Sequence, residues 1–273
     1  MTNYHQELAV GLGLARTAAS EILRFYYGTV QQRLKDDGTP VTQADVRANE
    51  IIQQGLHQAF PRDGIISEEL EDIVGERTWY TDPIDGTRGF IERSEQFAIH
   101  IGLAVEHVPV LGIVYKPTTG EYYWGIKGEG ARRVSPHGHE KGMVVTSDYD
   151  LKALKLIVDK DFLTQNPGAA FIKHVNPERT SVSGSEGLRV MRVVENTADL
   201  HLTNKNNSCS TWDLCAPQAI VEAAGGYVSY LDESSIQYTG QRKLGKYFVI
   251  AKTEGLGKYA AGVFSSVTQT STH

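Results

Sequence analysis

Hydrophobic positions recur at three- and four-residue spacing in two early stretches of the chain. Leu8, Leu12, Ala15, Ala18, Ile22 and Tyr26 make one stripe across residues 5–28, which predicts an amphipathic helix with a single buried face. Ala48, Ile52, Leu56 and Ala59 mark a second helix from about Ala44 to Phe60, closed by Pro61 and the Asp63-Gly64 turn, which cannot continue helical bonding. The polar stretch Lys35-Asp36-Asp37-Gly38-Thr39-Pro40 reads as a loop leading into Val41-Thr42-Gln43-Ala44-Asp45. The period then changes to two. Phe97, Ile99, Ile101, Leu103 and Val105 alternate with smaller or polar residues, and Val110–Tyr115 and Glu121–Ile126 follow after turn residues, the pattern of an antiparallel meander.

Lys127–Lys141, rich in Gly, Arg and His, reads as a long surface connection. Beyond it, Met143–Thr146, Leu156–Val158 and Leu200–Thr203 read as strands and Glu186–Asn196 as a helix. Another helix opens near Trp212-Asp213 and stops at the paired glycines Gly225-Gly226, followed by strands Tyr227–Tyr230 and Tyr247–Ala251 and an amphipathic tail helix. This order predicts helices on a mainly antiparallel sheet in residues 1–140 and a smaller α/β half in residues 141–273.

With 273 residues the chain has ample apolar material for a core, which excludes a small stapled scaffold. The 27 Lys and Arg against 33 Asp and Glu give a net charge of −6, without the basic footprint that a nucleic-acid polymer or an anionic membrane requires. A phosphorylated ligand would then have to meet bound cations or a local cluster of donors. Only Cys209 and Cys215 are present, and no charged-then-apolar leader follows Met1, so a reducing, cytoplasmic setting is expected. The longest apolar run, Phe97–Val105, is interrupted by His100 and is far too short to span a membrane.

Candidate chemistry gathers in three acidic segments. Trp79-Tyr80-Thr81-Asp82-Pro83-Ile84-Asp85-Gly86-Thr87 puts two carboxylates three residues apart, after a short strand and before a Gly-Thr turn. Asp-Pro and Asp-Gly would also serve a surface turn, but Trp79 and Ile84 bring apolar bulk beside the acids, and buried carboxylates need a partner charge. Ile65-Ile66-Ser67-Glu68-Glu69 delivers two glutamates from a short apolar strand, a pattern shared with solvated faces. Asp213 follows Trp212 at a helix start, where capping and ligation are compatible. Glu68, Asp82, Asp85, Asp213 and the Ile84 carbonyl together form an all-oxygen donor set, suited to Mg²⁺ rather than to zinc or copper. Phosphate-loop, dinucleotide and nucleophile-elbow patterns are absent from the sequence; Ser183-Gly184-Ser185-Glu186-Gly187 lacks the glycine two positions before Ser185.

Ser67-Glu68-Glu69, then Asp82-Pro83-Ile84-Asp85-Gly86-Thr87, then Trp212-Asp213 with Ala216 and Ala224-Gly225-Gly226 resemble, in order, the signatures of the lithium-sensitive inositol monophosphatase superfamily. Within it the chain is most similar to the 3′(2′),5′-bisphosphate nucleotidase branch, through Lys35–Thr42, Val110–Tyr115 and Trp212–Pro217. It departs from that branch at Arg88-Gly89, where Lys-Glu is common, and at Arg189, where a lysine is common. The resemblance implies a layered α/β sandwich with its site between the two halves. It also implies two or three Mg²⁺ and inhibition by Li⁺, with the ions held by Glu68, Asp82, the Ile84 carbonyl, Asp85 and Asp213. Thr87 with Asp45 would help deprotonate the attacking water, backbone amides at Gly86 and Thr87 would face the phosphate, and Ser185 and Arg189 would meet other groups of the nucleotide. A small phosphorylated substrate and a monomer or homodimer are expected. The same ligands would serve an inositol or other small-polyol monophosphatase, while a noncatalytic relative would be expected to lose a ligand or Thr87.

Overall fold

The computed structural model describes residues 3–28, 32–34, 40–203 and 209–270, so most of the expected Lys35–Pro40 loop lies outside the described residues. Helix α1 (His5–Tyr26) buries Leu8, Ala15, Ala18, Ile22 and Tyr26, the stripe its spacing predicts. Strands β1 (Gln32–Leu34) and β2 (Pro40–Thr42) form an antiparallel pair that runs straight into α2 (Gln43–Ala59). Thr42 and Asp45 close the start of α2 as a capping box, each side chain bonding the other's backbone.

Strands β3 (Gly64–Ser67) and β4 (Thr78–Asp85) pair in parallel, and the short helix α3 (Thr87–Ile91) follows. The expected meander comes next as β5 (Ala98–Val105), β6 (Val108–Tyr115) and β7 (Tyr122–Ile126). It continues further than expected. β8 (Gly130–Val134) and β9 (Glu140–Met143) extend the sheet to seven strands in the order β3-β4-β5-β6-β7-β8-β9, so the Lys127–Lys141 stretch is sheet rather than a surface connection. Arg132, Arg133 and Lys141 occupy positions where a buried strand would carry apolar residues; β8 is half-covered and its arginines pair with Glu140 and Glu121. The strand expected over Met143–Thr146 ends at Met143, because Val145 donates to the Ala224 carbonyl and Thr146 to Asn196.

The second half comprises β10 (Lys155–Val158), α4 (Lys160–Thr164), α5 (Gly168–Val175), β11 (Arg179–Val182), α6 (Glu186–Val194), β12 (Leu200–Leu202), α7 (Thr211–Ala223), β13 (Tyr227–Tyr230), β14 (Phe248–Ala251) and α8 (Glu254–Thr270). Its five strands run in the order β11-β10-β12-β14-β13, parallel through β10 and antiparallel at β14.

Three apolar clusters separate the layers. α1 and α2 cover one face of the seven-stranded sheet through Ile22, Ile52, Ile99, Ile101 and Leu103. The opposite face packs on α6 and α7, which also meet the five-stranded sheet through Val190, Ile220 and Ile250. α5 and α8 cover the outer face of that second sheet through Phe171, Val249 and Phe264. The molecule is therefore a layered α/β sandwich, with α6 and α7 between the sheets.

A trough of glycine seats α7. Gly102, Gly112 and Gly125 are register partners on β5, β6 and β7. A Cβ on Gly112 would lie 2.1 Å from the Ala216 carbonyl oxygen, and one on Gly125 would lie 2.7 Å from the Ile220 Cα. Backbone thus rests on backbone, and the N-terminal turn of α7 comes down beside the end of β4.

Candidate active site

β4 carries Asp82 and Asp85 at its C-terminal end, where the pairing with β5 shifts register, and Asp213 lies in the first turn of α7. One carboxylate oxygen from each of Asp82, Asp85 and Asp213 lies within 4.8 Å of the other two. Asp82 and Asp85 are buried. Burial raises the Asp82 pKa well above the carboxylate range, and the charges of Glu68, Asp85 and Asp213 raise it further, against the lowering bond from the Ile84 amide at 2.8 Å. Glu68, half-buried just past β3, is therefore part of the same electrostatic cluster although it stands outside the closest trio.

Asp85 is fixed differently. Its Oδ2 accepts from Ser185 Oγ at 2.5 Å and from the Gly187 amide at 2.9 Å, with His100 Nε2 at 3.2 Å. Burial opposes ionisation of Asp85, but His100, Ser185 and Gly187 overcome it and hold the carboxyl below its ordinary range. Burial alone would lower the His100 pKa; the Asp85 carboxylate, with smaller help from Asp213 and the Trp212 carbonyl, raises it instead. The sequence marked His100 only as a break in an apolar run; the strand register of the structure sets it on β5 opposite Asp82. Gly187 leaves room for that ring, since a Cβ there would fall 2.1 Å from His100 Nε2.

Asp45 and Thr87 meet as expected. Thr87 Oγ1 lies 3.4 Å from Asp45 Oδ1 and 3.3 Å from the Ile84 carbonyl, so it joins the end of β4 to the start of α2. Asp45 is held in turn by the Thr42 amide at 2.8 Å and by its hydroxyl at 2.5 Å. Gly86, at φ +91, caps α3 in a conformation that favours glycine, and the Gln96 carbonyl lies 2.5 Å from where a Cβ would stand. Asp213 both caps and faces the cluster, its Oδ2 accepting from the Ser210 amide at 2.7 Å.

Two expected nucleotide contacts are used inside the fold. Ser185 is fully buried, capping α6 and bonding Asp85, so it orients a carboxylate. Arg189 is only 1% exposed; one terminal nitrogen pairs with Glu186 and the other donates to the Ser183 carbonyl at 2.5 Å. Its guanidinium is committed beneath the N-terminus of α6, which corrects the expectation that it faces a ligand. Arg242, which the sequence reading overlooked, bonds the carbonyls of Ser67 at 2.9 Å and Glu68 at 3.2 Å and lies 4.6 Å above the Trp212 ring, tying the Glu68 segment to α7.

Buried carboxylates that raise one another's proton affinity, with oxygen donors only, fit a hard divalent cation. Residues 3–269 match the profile of the inositol monophosphatase family. The chain belongs to that family. It is a phosphatase of the metal-dependent type that family comprises. It is 30% identical over 233 residues to a 3′(2′),5′-bisphosphate nucleotidase CysQ of Salmonella typhimurium, covering 83% of this chain and 91% of that protein. It is also 32% identical over 225 residues to a histidinol-phosphatase of Chlorobaculum parvum, covering 81% and 84%. Among solved structures, an inositol monophosphatase from Zymomonas mobilis superposes with a TM-score of 0.80 at 25% identity, covering 97% of this chain and 100% of that one.

Proposed function

We propose that the chain removes the 3′-phosphate from adenosine 3′,5′-bisphosphate, releasing AMP and inorganic phosphate. The observation that supports this most is its likeness to bisphosphate nucleotidases over about four-fifths of its length, together with the Asp82, Asp85 and Asp213 cluster.

Glu68, Asp82, the Ile84 carbonyl, Asp85 and Asp213 would hold Mg²⁺. When bound, such ions neutralise the phosphoryl oxygens, lower the pKa of the attacking water and stabilise the leaving oxygen. The protein's own part is to hold and to move a proton. Ser185, the Gly187 amide and His100 fix Asp85 through a single oxygen, so its orientation does not depend on the substrate. Thr87 Oγ1, between Asp45 and the Ile84 carbonyl, is placed to take a proton from water and pass one to Asp45. The water oxygen bonds to phosphorus as the bond from phosphorus to the ribose oxygen breaks; that oxygen takes up a proton from solvent water, and the proton left on Asp45 returns to solvent before the next turnover.

Phosphate release from adenosine 3′,5′-bisphosphate, inositol 1-phosphate and histidinol phosphate, at equal Mg²⁺, tests the reading. The bisphosphate should give the highest kcat/KM, activity should vanish in excess EDTA, and Li⁺ should inhibit where matched NaCl does not. A preference for either monophosphate would end the nucleotidase assignment while leaving a phosphatase in place.

A further inference from the structure

A bisphosphate brings a second anionic group to a chain of net charge −6, and Arg189 is not available to meet it. Beside the carboxylate cluster lies a crevice of about 370 Å³ between the ends of β6, β7 and β8 and one face of α6. Its near rim is Gln96 and Ser183, joined by a bond of 2.9 Å from Ser183 Oγ. Both flank the site already described. The Gln96 carbonyl packs against Gly86, and Ser183 stands two residues before the serine that holds Asp85.

The far wall carries Lys116, Arg133 and Arg192 together with Glu121 and Glu195. Three cations against two carboxylates leave this wall net positive. The arrangement in depth matters more. The Lys116, Arg133 and Arg192 side chains are 27%, 42% and 49% exposed, whereas Glu121 and Glu195 are 9% and 13% exposed. The carboxylates are the buried charges of this wall and the cations its solvent-accessible ones. Arg133 is held rigidly, with Nε at 2.9 Å and a terminal nitrogen at 2.5 Å from Glu121. Arg192 makes one long bond, 3.4 Å to Glu195, and keeps donors for a ligand. From Ser185 to Arg192 is seven residues, a rise of about 10 Å along α6, which a long arginine side chain shortens.

We propose that this crevice receives the leaving half of the substrate and that Arg192 and Arg133 bind its second phosphate, with Lys116 adding charge. The inference rests on the nucleotidase reading above and places that reading's specificity in residues other than Arg189. Paired guanidinium groups on a preorganised wall suit a phosphate, which accepts several charge-assisted bonds at once.

Arg192→Glu is the variant of choice, because removing Arg133 would take from the buried Glu121 carboxylate its two short bonds and leave it the longer contacts to Lys116 and Tyr123. Arg132→Glu is the control for general surface charge, since Arg132 lies on β8 outside the crevice and pairs with Glu140. Losing one charge-assisted contact should lower the ratio of kcat/KM for adenosine 3′,5′-bisphosphate to that for inositol 1-phosphate about tenfold or more, mainly through KM. Arg132→Glu should leave the ratio within about twofold of wild type. Equal losses on both substrates, or an equal effect of the control, would overturn the crevice while the nucleotidase reading stands. Should the wild type prefer a monophosphate, the reading falls instead, and product inhibition judges the crevice alone. A rise of about tenfold in the inhibition constant for AMP in Arg192→Glu would support it, and an unchanged constant would overturn it.

Discussion

Thr87 Oγ1 has two acceptors within reach, the Asp45 carboxylate at 3.4 Å and the Ile84 carbonyl at 3.3 Å, and both contacts are long. A hydroxyl so placed is loosely held and can turn toward a third partner, which suits proton transfer better than a tight structural bond would. Thr87→Ala and Asp45→Asn should each lower kcat by about 10²-fold or more, and the double variant should be scarcely slower than the worse single one. Multiplying losses would separate the two residues. Thermal midpoints of all three proteins are needed alongside, because Asp45 also closes the capping box of α2. Asp82 and Asp85 were legible in the sequence as acids beside apolar bulk before a Gly-Thr turn, and Asp213 as an acid at a helix start, whereas the pairing of Asp45 with Thr87 was reached only through the family resemblance, because 42 residues separate them and nothing local joins them. Roles were less legible. Ser185 and Arg189 lie on the expected segment, but the side chains point inward to Asp85 and Glu186, and inward or outward orientation on a short helix start depends on tertiary packing.

At the level of elements, α1, α2, the β5–β7 meander, α6 and α7 were readable because each carries a long apolar stripe or a clean alternation. β8 and β9 were not, since their charged side chains are satisfied by cross-strand partners rather than by water alone. Helices of five residues such as α3 and α4 are below the length at which periodicity can be seen. The glycine trough was hidden for another reason. Gly102, Gly112 and Gly125 are widely separated in sequence and become one feature only when β5, β6 and β7 pair in register. Gly112→Ala should push α7 away from the sheet, lowering the melting temperature by roughly 5 °C or more through overpacking and raising the Mg²⁺ concentration needed for half-maximal activity through the displaced Asp213. Gly13→Ala is the matched comparison, because a Cβ at that position on α1 meets nothing within 4 Å. That variant should be neutral or more stable by up to about 1 kcal/mol, with unchanged turnover.

Across the whole molecule, an ionised Asp82, buried beside Glu68, Asp85 and Asp213, opposes folding, and a bound cation would relieve that cost. Asp82 binds its proton more tightly folded than unfolded, so its own contribution to the stability of the metal-free protein is fully present below the ordinary carboxylate pKa and is lost as pH rises through the raised folded value, whereas Asp85, held below its ordinary range, contributes in the opposite sense. A divalent cation held by this cluster would compete with the proton for the same oxygens. The gain in melting temperature from saturating Mg²⁺ should therefore be larger at about pH 8, on the order of 5 °C, than at about pH 5. A gain independent of pH would remove Asp82 from the ligand set. Asp213 arrives on a helix from the second half of the chain, while Asp82 and Asp85 belong to a strand of the first, so the ion would also act as a cross-link across a long stretch of sequence. Where a helix rests on side chains, its height above a sheet drifts as rotamers and residue sizes change; α7 rests on bare backbone and has no adjustable shim. Substitutions elsewhere can reshape α6 and the crevice beside it, and so redirect the choice of substrate, while the reference surface against which the reaction geometry is set stays where it is.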